Sequence, residues 1–309
     1  MKQIIDNGKN FLIISHKNPD GDALGASTAL ACLLSSRKKD SRIFFSTSLP
    51  RGFEYLPGIE RVSSGPIRLF QPYDAVFAVD SSDLEFCGMR AEDFGSAKVI
   101  VIDHHLTNKK FGHINFVKPT ASSTCEYLVE LFQKFEYEID KDIATCLLTG
   151  VLTDTDFLSN QAVTHFTFKT VSKLLLYGAN LRAILRSVFH GKSLVYLKLL
   201  GIALGRLKIN PALSVASTYI TQADLTELNA DPDDMNGLAN IMNFIDGVKI
   251  ALIWREIKAF EFKASLRTHD PLIDVSKIAT IFGGGGHKKA AGFTVRGRVV
   301  ETDTGWVVI

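Results

Sequence analysis

No stretch of this 309-residue chain reaches the roughly 18 uninterrupted apolar residues that a membrane-spanning helix needs. The N-terminus, Met1-Lys2-Gln3-Ile4-Ile5-Asp6, lacks the apolar stretch of a signal peptide, so the chain is expected to stay where it is made, in the cytoplasm. Cysteine is scarce. Cys32, Cys87, Cys125 and Cys146 are scattered without a C-x-x-C spacing, which argues against a disulfide scaffold and reads as buried thiols in a reducing compartment. Formal net charge is only +2, and no long lysine or arginine run occurs. A broad basic surface for long duplex nucleic acid is therefore not expected, and a small or short anionic ligand gripped locally suits the charge balance better. What is present is ordinary for a globular chain: 46% hydrophobic and 22% charged residues, over a length that allows two domains with separate cores.

The first half alternates strand and helix patterns. Apolar runs at Phe11–Ser15, Arg42–Ser46, Ala75–Val79 and Lys98–Ile102 suit parallel strands covered on both faces. An Ala- and Leu-rich helix is expected from Asp22 to about Ser36, and Ser123 with Glu126 forms a candidate capping box for another. The pattern changes near His190. The expected organisation is α/β: a parallel-sheet first domain over 1–190, a linker helix within 191–207, and a smaller α/β second domain over 208–309. In the second domain, strands over Val248–Ile257 and Phe260–Arg267 are separated by about two residues and should pair antiparallel. Asp274 should cap a helix that ends before four consecutive glycines.

Four polar clusters carry the chemistry, and three follow predicted strands. They are His16-x-x-x-Asp20-x-Asp22, then Asp80, then Asp103-His104-His105, and finally Asp154. In open parallel sheets ligands sit beyond the carboxyl ends of the strands, so these loops should deliver imidazoles and carboxylates to one edge. A single Asp after a strand is usually a cap or turn former, and Asp22 alone could cap the helix behind it. The conjunction is what matters, because burying so many carboxylates without a cation is prohibitively costly. Carboxylates suit hard divalent ions, and imidazole adds preference for Mn²⁺, Fe²⁺, Co²⁺ or Zn²⁺ over Mg²⁺. Mixed His/Asp ligands with a bridging Asp suit two metals roughly 3.5–4 Å apart, which would ionise a water near neutral pH for attack on phosphorus.

In the second half, Gly283-Gly284-Gly285-Gly286 precedes His287-Lys288-Lys289. Glycines allow close backbone approach, and successive exposed N–H groups could form an anion-binding nest, with a short following helix adding its positive end. Arg267, ending a predicted strand, can grip a phosphate through two parallel hydrogen bonds.

At these residues the chain resembles the DHH phosphoesterase superfamily. The resemblance rests on His16-Lys17-Asn18-Pro19-Asp20-Gly21-Asp22-Ala23-Leu24-Gly25, Val79-Asp80-Ser81-Ser82, Val101-Ile102-Asp103-His104-His105 and Gly150-Val151-Leu152-Thr153-Asp154-Thr155. It extends to Ser265-Leu266-Arg267 and to Gly283 through Gly292, which are similar to the DHH-associated substrate domain. Nearly the whole chain is covered, in the order typical of the nano-RNase/pAp-phosphatase branch, related to RecJ. The resemblance implies two divalent cations, manganese first, with magnesium or cobalt as alternatives. One would be held by His16, Asp20 and Asp80, the other by Asp22, Asp80, His104 and Asp154. Spacing alone does not choose between His104 and His105; the resemblance makes His104 the ligand and turns His105 toward the substrate. Asp103 would fix a histidine ring. Ser265, Arg267, Gly284, Gly285, Gly286 and His287 would hold the phosphate or nucleotide end. The activity implied is removal of the 3′-phosphate from adenosine 3′,5′-bisphosphate and trimming of very short RNA in the 3′–5′ direction. A cyclic dinucleotide phosphodiesterase is the sibling alternative. A pyrophosphatase or exopolyphosphatase is disfavoured by the glycine loop with Arg267, and a non-catalytic nucleotide sensor by the intact ligand set. A homodimer is among the assemblies this allows. One departure from the family pattern is Asp156-Phe157-Leu158 after Thr155, where Asp156 is either an extra carboxylate near the metals or a solvated loop charge.

Overall fold

The computed structural model describes residues 1–65, 73–187, 193–235, 237–242 and 245–309, with the backbone alone for Ala91, Pro232, Asp233, Asn240 and His287. The chain divides into two compact units, Met1–Gly191 and Lys192–Ile309. The boundary expected at His190 lies outside the described residues.

The first unit runs α1 (Lys2–Asn7), β1 (Asn10–Ile14), α2 (Gly21–Ser36), β2 (Asp40–Phe45), β3 (Val62–Ser64), β4 (Ala75–Val79), β5 (Lys98–Asp103) and β6 (Ile114–Val117). Four helices follow: α3 (Thr124–Lys134), α4 (Lys141–Asp154), α5 (His165–Leu176) and α6 (Leu181–Leu185). The strands form one sheet in the order β3-β2-β1-β4-β5-β6, and every pair is parallel. Strand order reverses between β1 and β4, which makes their carboxyl ends the switch point where such sheets bind ligands. The apolar runs are continuous because both faces are covered. Phe11 and Ile13 enter one core cluster while Leu12 and Ile14 enter the other, and Phe77 and Val79 alternate with Val76 and Ala78 in the same way.

Helix α2 starts one residue earlier than expected, and its cap is Asp20 rather than Asp22. Asp20 Oδ1 accepts from the amides of Asp22 and Ala23 at 3.0 Å each, which leaves Asp22 inside the first turn. For α3, Ser123 accepts from the Glu126 amide at 2.9 Å, but the Glu126 carboxylate takes the Ser122 hydroxyl at 2.6 Å, so the reciprocal half of the box falls one residue early.

The second unit opens with α7 (Leu194–Gly205), β7 (Lys208–Asn210), β8 (Val215–Ile220), α8 (Gln222–Glu227) and α9 (Leu238–Met242). It continues with β9 (Ile250–Lys258), β10 (Glu261–Arg267), α10 (Val275–Ile281), β11 (Gly285–His287), β12 (Ala290–Arg296), β13 (Val299–Thr302) and β14 (Gly305–Val308). Its main sheet has the order β11-β12-β10-β9-β8-β7; β8 and β9 are parallel and the other pairs antiparallel, including the expected β9–β10 hairpin. One face packs Tyr196, Leu199 and Ala203 of α7 against Ala216, Ile220 and Ile253. The opposite face packs Phe262, Ala264, Leu266 and Phe293 against Val275 and Ala279 of α10. Asp274 caps α10 as expected, accepting from the Ser276 amide at 3.0 Å. The short helix expected after the glycines is not formed. The chain instead continues as β11 and turns back into β12, because Gly285–His287 can pair with the edge of β12.

Candidate metal centre

β1, β4 and β5 lie side by side, and each ends in ligand-type side chains. His16, Asp20 and Asp22 follow β1, Asp80 follows β4, and Asp103 closes β5 ahead of His104 and His105. Asp154 arrives from the last residue of α4, which packs along α2. The packing is close: a Cβ built on Gly150 of α4 would stand 2.5 Å from Asp22 Oδ1. Three overlapping groups result, His16/Asp20/Asp80, Asp22/His104/Asp154 and Asp80/His104/His105, each with ligand-type atoms within 4.8 Å of one another. Asp80 and His104 are shared. Asp80 holds a left-handed backbone conformation, φ 52°, unusual for a residue with a side chain and the kind of strain that collects at functional sites.

Hydrogen bonds set the histidine rings. His16 Nδ1 lies 2.9 Å from the Lys17 carbonyl and His104 Nδ1 3.3 Å from that of Ala121. A carbonyl only accepts, so Nδ1 carries a proton in both rings, and once each ring is neutral its lone pair lies on Nε2. His16 Nε2 faces Asp80 Oδ2 at 3.5 Å and Asp20 Oδ1 at 3.9 Å; His104 Nε2 faces Asp154 Oδ2 at 3.5 Å and Asp80 Oδ1 at 3.8 Å. His105 differs. Its Nδ1 donates to Asp103 Oδ1 at 2.8 Å, which occupies the nitrogen nearest the cluster. Asp103, fully buried, also accepts from the Asn108 side chain at 2.6 Å. Asp156 is exposed and belongs to none of the three groups, in keeping with a solvated loop charge.

Two neighbours escaped sequence reasoning. Asn108 joins Asp103 to the Ser81 carbonyl, 3.0 Å away, and Thr124 donates its hydroxyl to Asp80 Oδ1 at 3.0 Å. Asn108 sits three residues beyond His105 in the same loop and Thr124 directly after a legible helix cap. Those positions were the only signals available.

The charges are mutually frustrated. Asp22 and Asp80 are at most 2% exposed. Burial, and then the negative charge of Asp80, pushes Asp22 up to about 7, and burial with Asp22 and Asp80 pushes Asp154 well above the usual carboxylate range. Asp80 goes the other way. Burial would raise it, but His16, His104 and His105 outweigh that and hold it below its ordinary value. Burial would lower His16, yet Asp80 and Asp20 raise it to about 9. Protons thus hold together a cluster whose donors, imidazole nitrogen and carboxylate oxygen, suit divalent transition cations. The residues present fit such ions.

The second unit brings part of the other expected site together. In the β10-β12-β11 register, Ser265, Gly292 and Gly285 form one row, and Arg267, Ala290 and His287 the next but one. Directly opposed residues share a face, so Ser265 and Arg267 lie on the same face as the open backbone of Gly285, where an added Cβ would meet nothing within 4 Å. Burial lowers the Arg267 guanidinium, and its Nη1 donates to the Leu266 carbonyl at 2.9 Å. The side chain of His287 lies outside the described residues. The nest expected from successive free amides is reduced, because the Gly283 and Gly284 amides donate to Thr280 and Ala279 and close the end of α10. Gly284 is required by packing, since a Cβ there would stand 2.5 Å from Phe293 Cβ.

A doubly wound parallel sheet with a buried His/Asp cluster at its switch point, joined to a unit with an arginine-bearing glycine strip, defines a metal-dependent phosphoric ester hydrolase. The chain belongs to the DHH family: residues 10–151 match the DHH family, N-terminal domain, and residues 213–302 the DHHA1 domain. It is 31% identical over 287 residues to the bifunctional oligoribonuclease and PAP phosphatase NrnA of Thermus thermophilus, covering 92% of this chain and 84% of that one. A crystal structure of an exopolyphosphatase-related protein from Bacteroides fragilis superposes with TM-score 0.86 at 26% identity, over 96% of this chain and 90% of the other. Exonuclease RecJ bound to manganese shares the fold at TM-score 0.50 and 14% identity, over 93% and 86% of the two chains. No helix among the described residues is long and apolar enough to cross a membrane.

Proposed function

We propose that this chain hydrolyses short RNA oligonucleotides and adenosine 3′,5′-bisphosphate with the help of two divalent cations, manganese in the first place. The observation that carries the reading is the sharing of Asp80. Its two carboxylate oxygens face His16 on one side and His104 on the other, at the sheet's switch point. The similarity to an oligoribonuclease and PAP phosphatase over most of both chains supports the substrate class. His16, Asp20 and Asp80 would hold one ion, and Asp22, Asp80, His104 and Asp154 the other. When bound, such ions supply Lewis acidity that makes water acidic near neutral pH and offsets charge on a phosphoryl group.

The chain's own residues do the rest. Asp103 fixes His105 through Nδ1, leaving the other ring nitrogen to orient a phosphate oxygen or move a proton. Ser265, Arg267 and the bare backbone of Gly285 would hold a second phosphate or the nucleotide end. The four cysteines are free thiols, which suits the reducing cytoplasm.

A manganese-supplemented turnover panel tests this. It compares adenosine 3′,5′-bisphosphate, RNA dinucleotides to pentanucleotides, cyclic di-AMP and pyrophosphate. Turnover of the first two is expected; hydrolysis confined to cyclic di-AMP or pyrophosphate would refute the substrate assignment.

A further inference from the structure

Thr124, the first residue of α3, directs its two donors to two different carboxylates. Its amide donates to Asp22 Oδ2 at 2.7 Å and its hydroxyl to Asp80 Oδ1 at 3.0 Å. The amide of Cys125 donates to Asp22 Oδ1 at 3.0 Å, so both oxygens of Asp22 are fixed by helix-end amides that need acceptors in any case. The hydroxyl is another matter. It is not needed to close the helix end, since Ser123 already accepts from the Glu126 amide. It is fully buried and spent on Asp80.

Asp80 is the residue whose orientation matters most. Its Oδ2 lies 3.5 Å from His16 Nε2 and its Oδ1 3.8 Å from His104 Nε2. A carboxylate torsion is soft and nearly two-fold, so nothing intrinsic to the side chain keeps its plane spanning the two histidines. A donor fixed to a helix end does. We infer that Thr124 is a positioning residue weighted toward the cation on the His104 side: its hydroxyl holds the Asp80 oxygen that faces His104 and its amide holds Asp22, whereas it reaches the His16 side only through the other oxygen of Asp80. This rests on the two-cation reading given above.

The test is titration of the metal-stripped full chain with Mn²⁺ in the absence of substrate, following free manganese by electron paramagnetic resonance and heat by calorimetry. The wild type should take up two ions. Thr124→Val keeps the amide and removes the hydroxyl; it should weaken one ion by about 10–100-fold, the range for losing an outer partner of a ligand, and the other by clearly less. Thr124→Ser should restore both. Circular dichroism checks the fold, and Thr124→Ala serves in place of the valine variant if that one fails to fold, with the same selective loss expected. Wild-type affinity at both sites in the variant, equal loss at both, or no rescue by serine would overturn the inference. A wild type that takes up no manganese would instead overturn the two-cation reading itself.

Discussion

Replacing Gly150 by alanine sets two physical effects against each other at a position without a functional group. Gly150 lies inside α4, where alanine is ordinarily the better helix former by roughly 0.5–1 kcal/mol. Here the added Cβ would stand 2.5 Å from Asp22 Oδ1 and 2.9 Å from Cys125 Cβ, with Cys125 Sγ nearer still, whereas ordinary contact begins at 3.4 Å. Cys125 is fully buried, so its sulfur cannot swing out into solvent to relieve the contact. Overpacking of this kind costs about 1–3 kcal/mol, so steric strain should outweigh propensity and leave a net loss of about 1–2 kcal/mol. At a urea slope near 2 kcal/mol/M, that lowers the midpoint of the metal-free protein's unfolding by roughly 0.5–1 M. Because Asp22 is one of the atoms displaced, manganese affinity should fall as well, by about 10-fold or more. A variant as stable as the wild type or more so, with unchanged manganese affinity, would refute the reasoning from packing to metal site.

Asp80→Ala should stay folded by circular dichroism, since both cores of the first unit remain, and lose at least about 100-fold in turnover, beyond what losing an outer partner costs; full activity after metal removal would contradict the two-metal mechanism. The raised His16, about 9, and raised Asp22, about 7, mean that both hold protons below those values in the metal-free protein and must release them to ligate. Manganese affinity should therefore fall as pH drops from 9 toward 6, with proton release seen by calorimetry in buffers of different ionisation heat, and a pH-independent affinity would count against the ligand assignment. Arg267→Ala should raise KM by about 10–100-fold, the worth of a charged hydrogen-bonded contact, with metal content intact; unchanged KM with lost manganese would contradict it.

The strands that position the centre were legible because burial on both faces writes itself as an unbroken apolar run, as in Ala75–Val79. β3 and β6 were not. Val62–Ser64 is three residues long, and Ile114–Val117 is only half-buried with a polar residue inside it. The ligand-type residues could be found because several carboxylates and imidazoles at strand ends have few innocent explanations, and the parallel sheet does bring them to one edge. Which element delivers a cap is decided by local backbone geometry, and so Asp20 rather than Asp22 took that role. The conformation of the glycine run was not legible for a related reason. Without side chains it has no periodicity to read, and pairing with β12 rather than local propensity determines its conformation. Thr124 and Asn108 carry no residue-type signal, since their importance lies in which carboxylate oxygen each one contacts.

The central claim is tested most directly by the anomalous diffraction of a crystal grown with manganese. Two peaks are predicted, one among His16, Asp20 and Asp80 and one among Asp22, Asp80, His104 and Asp154, with Asp80 touching both. A single peak that Asp80 does not share, or manganese bound only away from these residues, would contradict it.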